Sequence, residues 1–192
     1  MINLQKGENI SLSKEDSSLE ILTVGLGWNV NVNALSSDFD LDVTAFLLNE
    51  DNKVRSEDDM IYYGDKSSVC KSVSLSGDNR TGSGEGDDES LTIKLNNLTQ
   101  DVKKVAVVVN IYQAQERNQN FGQVDKAYIR CVNAENKNEI ARFDLTEDYS
   151  GATSIVFGEI YRHGTDWKFK ALGNPSSGGL KNIAQAYGLN VG

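Results

Sequence analysis

The sequence is short of the residues that usually build nucleophilic or thiolate-metal sites. It contains one histidine, one proline and two cysteines among 192 residues. Two cysteines cannot complete a structural zinc site, and the single His163 lies far from both of them in sequence. One histidine cannot by itself provide a recurring acid–base site, and no G-x-S-x-G segment occurs. The sequence therefore predicts a protein without enzymatic activity.

The two cysteines, Cys70 and Cys131, both lie in apolar, strand-like sequence. A cysteine in such surroundings behaves as a small hydrophobic residue. We expect both to be reduced thiols that pack in or near the core.

Long hydrophobic runs are also missing. The longest apolar run, residues 105–109, is far shorter than the roughly 18 residues that a membrane-spanning helix needs. The N-terminal segment has no apolar core of the kind found in signal peptides. We therefore expect a soluble, cytoplasmic protein that does not insert into a membrane.

Positive charge is in deficit. Aspartate and glutamate number 28 against 19 lysines and arginines, which gives a net charge of -9 and a pI near 4.6. Such a chain repels nucleic acid and anionic membrane surfaces. The same balance suits a protein that binds cations, and we expect no nucleic-acid partner.

Period-two alternation, which is typical of β-strands, runs through most of the chain. Leu22, Val24 and Leu26 alternate with other residues, and residues 105–112 form a nearly continuous β-branched run, as in a strand buried on both faces. Further strands are predicted at 41–47, 60–63, 69–75, 91–95, 127–132, 139–143, 154–162 and 167–171. Short strands separated by Gly, Asn, Asp and Ser clusters predict a mainly β fold, a β-sandwich of two sheets.

Helical spacing is clear only near the C-terminus. Leu180, Ile183, Ala184 and Tyr187 lie at positions i, i+3, i+4 and i+7, and Gly188 is placed to end a short helix. No internal repeat and no linker divides the chain. We expect residues 1–192 to form a single domain.

Residues 77–90 form the most informative segment, which reads GDNRTGSGEGDDES. Five acidic side chains and four glycines share these fourteen positions. Carboxylates at this density repel one another, and glycines let the backbone turn its carbonyl oxygens inward. Carboxylates and carbonyls together form the oxygen-rich shell that calcium prefers. We therefore predict a calcium site here; the alternative is a solvated acidic loop.

A second acidic cluster consists of Asp38, Asp40 and Asp42, which alternate with two apolar residues. On a strand the three aspartates would share one face while the apolar residues turn to the core. Neither cluster is an EF-hand, because the central glycine of that loop is replaced by Val43 in one and by Ser83 in the other. We expect the two clusters to meet at one edge of the sandwich.

Phosphate binding by the glycine-rich segment is disfavoured. Phosphate loops pair glycines with lysine, serine or threonine at a helix N-terminus, whereas these glycines alternate with acids. A metal-dependent hydrolase or a nucleotide-binding protein that uses the same acidic site remains an alternative.

Several segments carry a family resemblance, in order over nearly the whole chain: GLGW at 25–28, FDLD at 39–42, the acidic segment at 77–89, NQNFGQ at 118–123, ARFDL at 141–145 and FGEIYR at 157–162. With these segments the chain resembles the TerD family of tellurium-resistance and general stress proteins. The acidic, glycine-rich segment is the most specific part of the match.

The resemblance implies a β-sandwich that binds calcium and has no established enzymatic activity. The ligand positions that it carries over are Asp40, Asp42, Asp78, Gly82, Gly84, Asp87, Asp88 and Glu89. This supply of ligands allows two Ca²⁺ ions. One departure concerns Asn29, which stands where the family pattern has an aspartate after Gly-Leu-Gly-Trp. The loss of that charge predicts weaker binding.

Together these observations predict a calcium-binding, non-enzymatic stress-response protein of the tellurite-resistance type. Calcium at the acidic edge is expected to gate the docking of other proteins of a stress-response complex. Direct capture of tellurite by Cys70 and Cys131 is a further alternative from a different class.

Overall fold

Period-two alternation produces strands along almost the whole chain. The computed structural model describes residues 1–29, 38–76, 81, 86–147 and 149–190. The elements in these ranges are β1 (Ile2–Leu4), β2 (Asn9–Ser11), α1 (Leu12–Glu15), β3 (Ile21–Gly27), β4 (Leu41–Leu48), β5 (Met60–Ile61), β6 (Val73–Ser76), β7 (Glu89–Lys94), β8 (Lys104–Ile111), β9 (Tyr128–Asn133), β10 (Glu139–Asp144), β11 (Ser154–His163), β12 (Asp166–Ser176) and α2 (Gly179–Ala186).

The described strands form two six-stranded sheets. The first sheet has the order β1-β10-β9-β3-β7-β6, and the second has the order β2-β12-β11-β8-β4-β5. Neighbouring strands are antiparallel, apart from the parallel pair β1 and β10. Two packed sheets with a short C-terminal helix confirm the predicted fold class.

The main core lies between the sheets and takes one face of each strand. On β8, Val105, Val107 and Val109 point into this core, whereas Ala106 and Val108 belong to a second apolar cluster on the other face. All five are at most 1% exposed. The β-branched run therefore forms a strand buried on both faces, as predicted.

Helix α2 covers the outer face of the second sheet. Its buried residues Ile183 and Ala184 pack against Phe46 and other members of the second cluster. The Phe46 and Tyr187 rings lie 5.1 Å apart between centroids. Gly188 follows with a φ of 95°, a conformation that glycine adopts without strain, and the helix ends there as predicted.

Some predicted boundaries were wrong. The strand expected at 69–75 begins only at Val73, because Ser68 and Lys71 form a turn in which Lys71 has a φ of 54°. The strand expected at 167–171 extends to Ser176 and includes Pro175. Proline is tolerated there because β2 pairs only with residues 168–170, so Pro175 has a ladder partner on one side alone.

The two cysteines differ in exposure. Cys131 on β9 is completely buried, as expected, but Cys70 is exposed in the turn before β6, so the prediction of a packed thiol was wrong for Cys70. The turn places Cys70 outside the alternating pattern that buries Val73 and Leu75. Within the described ranges, no helix is long and apolar enough to cross a membrane.

Candidate functional site

The start of β4 and the start of β7 meet at one end of the sandwich, although they belong to different sheets. The Glu89 carboxylate, 4% exposed, accepts a hydrogen bond of 2.7 Å from the backbone N–H of Val43 through its Oε2 atom. Strand β5 pairs with β4 only at Ala45 and Phe46, so this part of the β4 edge has no neighbouring strand among the described residues. Glu89 provides the acceptor that a neighbouring strand would otherwise supply.

Asp88 binds the end of β3. Its Oδ2 atom accepts a hydrogen bond of 3.0 Å from the backbone N–H of Trp28, and its own N–H donates to the carbonyl of Leu26 at 2.8 Å. Burial raises the pKa of Asp88 above its usual range, the bond from Trp28 opposes this, and the charge of Asp87 raises it further. Burial therefore disfavours the ionised form of the Asp88 carboxylate.

Asp87 lies on the outer face of the first sheet and is held by an arginine. Arg130 Nε donates to Asp87 Oδ1 at 2.7 Å, and Arg130 Nη2 donates to Asp87 Oδ2 at 3.2 Å. Arg130 also pairs with Glu139 at 2.9 Å. These two carboxylates raise the pKa of the Arg130 guanidinium, so the arginine stays charged. The ion pair fixes Asp87 just before β7 begins.

The two glycines of the GLGW segment make room for these groups. A Cβ atom on Gly25 would collide with the Asp87 carboxylate, and one on Gly27 would collide with the Tyr128 ring. The Tyr128 hydroxyl donates to the carbonyl of Gly86 at 3.1 Å. The absence of side chains at Gly25 and Gly27 thus lets the acidic segment pack closely against β3.

The pleat of β4 separates the upstream acidic cluster from the apolar residues that alternate with it. Phe39 and Leu41 are buried in the main core, as expected from the alternation. Asp42 lies on the opposite face, 6% exposed, where its Oδ2 atom accepts a hydrogen bond of 3.3 Å from Asn110 Nδ2. Asp40 is partly buried, and Asp38 is exposed.

Of the eight predicted ligands, five lie in the part of the chain that the structure describes. Asp78, Gly82 and Gly84 lie outside the described residues. Asp40, Asp42, Asp88 and Glu89 flank the same end of the sandwich, whereas Asp87 faces the Arg130 side of the first sheet. In the described ranges, no group of three or more His, Cys, Asp or Glu side chains is arranged to hold a metal ion. The ligand roles of all eight stay predictions.

The described acidic groups nevertheless suit a hard cation in kind. They offer carboxylate oxygens, which are the ligands that calcium takes. Asp42 and Glu89 are almost completely buried, and the pKa of Asp88 is raised by burial. A cation bound at this end would compensate charges that the fold removes from water.

A local hydrogen-bond partner accounts for Asn29 without any role in metal binding. Its side chain donates to Asp125 Oδ2 at 2.7 Å, and its backbone N–H donates to the Asp125 carbonyl at 3.0 Å. An aspartate at position 29 would face the Asp125 carboxylate instead. The amide is therefore explained by local packing of the segment after β3.

Sequence reasoning missed two residues that organise this end. Arg130 gave no signal, because an arginine at an alternating strand position looks like any solvent-facing residue. Asn110 did give one, since it is a lone amide inside the β-branched run of β8. It is 8% exposed and lies directly opposite Asp42 in the ladder.

Among the described residues, His163 and Cys70 lie in other parts of the molecule. His163 ends β11 beside Gly164, which has a φ of 64° in the tight turn to β12. Cys70 accepts or donates a hydrogen bond with Ser72 Oγ at 2.8 Å. Neither residue has a hydrogen bond or ion pair to a predicted ligand among the contacts that the structure describes.

Comparison with known proteins gives one family over nearly the full length. The TerD domain matches residues 1–187. The chain is 50% identical over 190 residues to tellurium resistance protein TerD of Serratia marcescens, covering 99% of this chain and 98% of that protein. It is 45% identical over 191 residues to general stress protein 16U of Bacillus subtilis (strain 168), covering 100% of this chain and 99% of that protein.

A solved structure supports the fold. A homologue of telluride resistance protein (TerD) from Streptomyces coelicolor A3(2) superposes with a TM-score of 0.67 at 22% sequence identity, covering 87% of this chain and 96% of that chain. The names of the two sequence relatives describe resistance or stress response and not a reaction. By the extent of these matches, this chain belongs to the TerD family of tellurium-resistance and general stress proteins.

Proposed function

We propose that this chain is a cytoplasmic, non-enzymatic, calcium-binding protein of the tellurite-resistance type of stress response. Its acidic edge would bind Ca²⁺, and the ordered edge would dock other proteins. One observation carries the proposal: the Glu89 carboxylate accepts a hydrogen bond from the Val43 N–H on β4. This contact joins two acidic segments that are distant in sequence.

Different roles follow for the predicted ligands. Asp42, Asp88 and Glu89 are the described carboxylates best suited to a cation, because they are wholly or partly buried at the shared end. Asp40 would add a fourth oxygen donor. The role of Asp87 would be indirect, because Arg130 already holds both of its oxygens. Asp78, Gly82 and Gly84 complete the proposed ligand set from sequence alone.

Calcium would supply charge compensation and cross-linking of the two segments, not chemistry. Oxygen ligands on separate elements hold those elements together when a shared cation is bound. A ligand that binds only the folded state stabilises it by about 2.7 kcal/mol at a hundredfold excess over its dissociation constant. That free energy would fix the acidic edge in one arrangement and present it to partners.

Calorimetric titration of chelator-stripped protein with calcium, repeated with magnesium, tests the metal site. We expect calcium to bind in the micromolar range and magnesium to bind weakly, because magnesium loses its water shell reluctantly. Asp88→Asn should weaken calcium binding about tenfold or more. The matched control is Asp51→Asn, an exposed position at the opposite end of β4, which should leave the affinity unchanged. Absence of a calcium signal in the unaltered protein would refute the proposal.

The docking role needs a separate experiment. Protein immobilised on a support is exposed to lysate of its source cells with calcium and with chelator, and the captured proteins are identified. We expect partners that are retained only with calcium and that Asp88→Asn fails to retain. If the same partners are recovered under both conditions, docking does not depend on calcium. That result would leave the proposal of a metal site unaffected.

A further inference from the structure

A cleft of about 510 Å³ lies at the hairpin turn that joins β11 and β12. Its lining consists of residues 164–167 from that turn together with Gln100, Lys103 and Arg162. The volume lies within the range of small-molecule sites in proteins, roughly 300–1,000 Å³. None of the five described candidates for metal ligands lines this cleft, so it is a separate place on the molecule.

Two side chains of the cleft carry positive charge without a carboxylate partner. Arg162 donates from Nε to the Val102 carbonyl at 3.2 Å and from Nη2 to the Leu98 carbonyl at 2.8 Å. Lys103 donates from Nζ to the Gln100 carbonyl at 2.8 Å. Neither cation forms an ion pair within the part of the chain that the structure describes. The carbonyls of one loop, residues 98–102, therefore orient both cations but bring no opposite net charge.

Arg162 differs in this respect from three other arginines of the protein. Arg55, Arg130 and Arg142 each form an ion pair with an aspartate at 2.6–2.8 Å. Burial lowers the pKa of the Arg162 guanidinium, and no carboxylate opposes that effect. The guanidinium carbon lies 4.4 Å from the centroid of the Trp167 ring, a contact that fixes its plane. Its Nη1 atom has no hydrogen-bond partner among the described residues and is accessible to solvent.

Asp166 is the one carboxylate among the described lining residues, and it has partners of its own. Ser11 Oγ donates to Asp166 Oδ2 at 3.3 Å, and the Lys14 ammonium lies 3.6 Å from the same atom. The lining therefore has a net positive charge, although the whole chain carries a net charge of -9. Charges farther away than about 8 Å are largely screened at physiological ionic strength, so the local cations decide which ions bind here.

The hairpin turn adds uncharged donors to the cleft. Gly164 and Thr165 form the two-residue turn between the paired residues His163 and Asp166, and Gly164 has a φ of 64°. The backbone N–H groups of these two turn residues take no part in the described backbone hydrogen bonds. Thr165 also brings a hydroxyl group. Two cations and several N–H and O–H donors, from three segments of the chain, thus line one cleft.

We propose that this cleft binds the phosphate group of a small molecule, as free phosphate or as a monoester. Arg162 Nη1 and the Lys103 ammonium would donate to the phosphate oxygens, and the turn would supply further donors. A phosphate carries about two negative charges near neutral pH and therefore matches two cations, whereas a carboxylate carries only one. The cleft is larger than a phosphate group and leaves room for the remainder of a monoester. This proposal does not depend on the proposed metal function.

Nuclear magnetic resonance titration of the full chain tests the proposal with inorganic phosphate and with glycerol 3-phosphate. Acetate, at matched ionic strength, is the probe with a single charge. All titrations contain chelator, so that neither metal binding nor precipitation of calcium phosphate contributes. We expect amide shifts at residues 103 and 162–166 with at least one of the two phosphates, and much weaker shifts with acetate. Tighter binding of the ester would identify a monoester as the ligand, and tighter binding of inorganic phosphate would identify the free ion.

Two variants test the two cations. Lys103→Gln should weaken phosphate binding about tenfold or more, because it removes a charged donor. Its side chain is partly exposed and bonds to one loop carbonyl, so the variant should fold normally. Arg162→Gln should weaken binding at least as much, and its amide spectrum shows whether the loop that Arg162 holds is retained. Lys94→Gln, at an exposed lysine on the first sheet, removes the same charge elsewhere and should leave binding unaltered.

Three results would overturn the proposal. One is the absence of shifts at these amides with both phosphates at millimolar concentration. Another is equally strong binding of acetate, which would reduce the cleft to a general attraction for anions. The third is unchanged phosphate affinity in Lys103→Gln, which would place the bound phosphate elsewhere.

Discussion

Glu89 and Val43 join the two sheets of the sandwich through one hydrogen bond of 2.7 Å between a buried carboxylate and a backbone N–H. Glu89 opens β7 in the first sheet, and Val43 lies near the start of β4 in the second. The contact therefore ties the end of one acidic segment to the end of the other. A residue predicted as a metal ligand also has a structural task, and experiments on it must separate the two.

Glu89→Ala should destabilise the fold, whether or not calcium is present. The substitution leaves the buried N–H of Val43 without its acceptor, and an unsatisfied buried donor costs about 1–3 kcal/mol. Urea denaturation in the presence of chelator measures this loss without any contribution from metal binding.

Glu89→Gln is the matched variant, because its amide oxygen can still accept the hydrogen bond. We expect it to retain most of the stability lost in Glu89→Ala but to bind calcium more weakly, since it removes one charge. A glutamine variant with unchanged calcium affinity would show that Glu89 acts only between the sheets.

Gly25→Ala should displace the Asp87 carboxylate from its position against β3. The added methyl group would occupy the space of that carboxylate, and Arg130 holds the carboxylate in place. Overpacking of this kind costs about 1–3 kcal/mol. Thermal unfolding measures the loss, and Thr23→Ala, two residues earlier on the same face of β3, should change stability by less than about 0.5 kcal/mol.

Truncation of Asp87 opens the space that the methyl group needs, but it also removes the ion pair with Arg130. The double variant Gly25→Ala with Asp87→Ala should therefore lose less stability than the sum of the losses in the two single variants, as residues in direct contact do in double-mutant cycles. Additive losses would contradict this account.

The two thiols should react at very different rates. Burial alone would raise the pKa of the Cys70 thiol, but hydrogen bonds from Ser72 and Ser68 outweigh it and lower the pKa. Burial raises the pKa of the Cys131 thiol far above its usual range. A thiol-specific reagent on the folded protein should therefore modify Cys70 and leave Cys131 intact, as read by mass spectrometry of the intact chain.

A variant in which both cysteines are replaced tests whether thiols capture tellurite. If resistance does not depend on thiol chemistry, Cys70→Ser together with Cys131→Ser should protect cells as well as the unaltered protein does. Cys131→Ala replaces Cys131→Ser where the buried hydroxyl lowers the amount of folded protein. Loss of protection in a variant that accumulates normally would favour thiol capture over calcium binding.

The strands of the sandwich could be predicted from sequence because their signal is local. Alternation at 21–26 and the β-branched run at 105–112 each report burial directly, and both strands formed within one residue of the expected bounds. The strand predicted at 60–63 formed only as the two-residue β5, and the short strands β1 and β2 carry too few residues for a period to show. Their pairing depends on contacts with distant segments, which no local pattern contains.

The candidate site was predictable in composition but not in arrangement. The density of acids marked residues 77–90, and the alternation correctly turned Phe39 to the core. Nothing in the sequence distinguished Asp87, which binds Arg130, from Asp88, which binds the Trp28 N–H. Adjacent residues at the start of a strand point to opposite faces, so the partner of each depends on which strand lies beside it.

Tyr187 should make the protein less stable in alkali. Burial raises the pKa of Tyr187 to about 12, and the charge of Glu159 adds to the effect. An unfolded tyrosine titrates near about 10. Below that pH both states are protonated and the contribution is fully present. As the pH rises from about 10 to 12, the unfolded state loses its proton first, so stability falls with a limit of about 2–3 kcal/mol.

Tyr187→Phe isolates this effect, because phenylalanine keeps the ring against Phe46 but cannot ionise. Urea denaturation of both proteins at neutral pH gives the cost of the substitution itself. Repeated at about pH 9, 10 and 11, it should show the unaltered protein losing more stability per pH unit than Tyr187→Phe. Lysines and the other tyrosines titrate equally in the two proteins and cancel in the difference. Parallel curves over this range would show that Tyr187 ionises as readily in the folded state as in the unfolded chain.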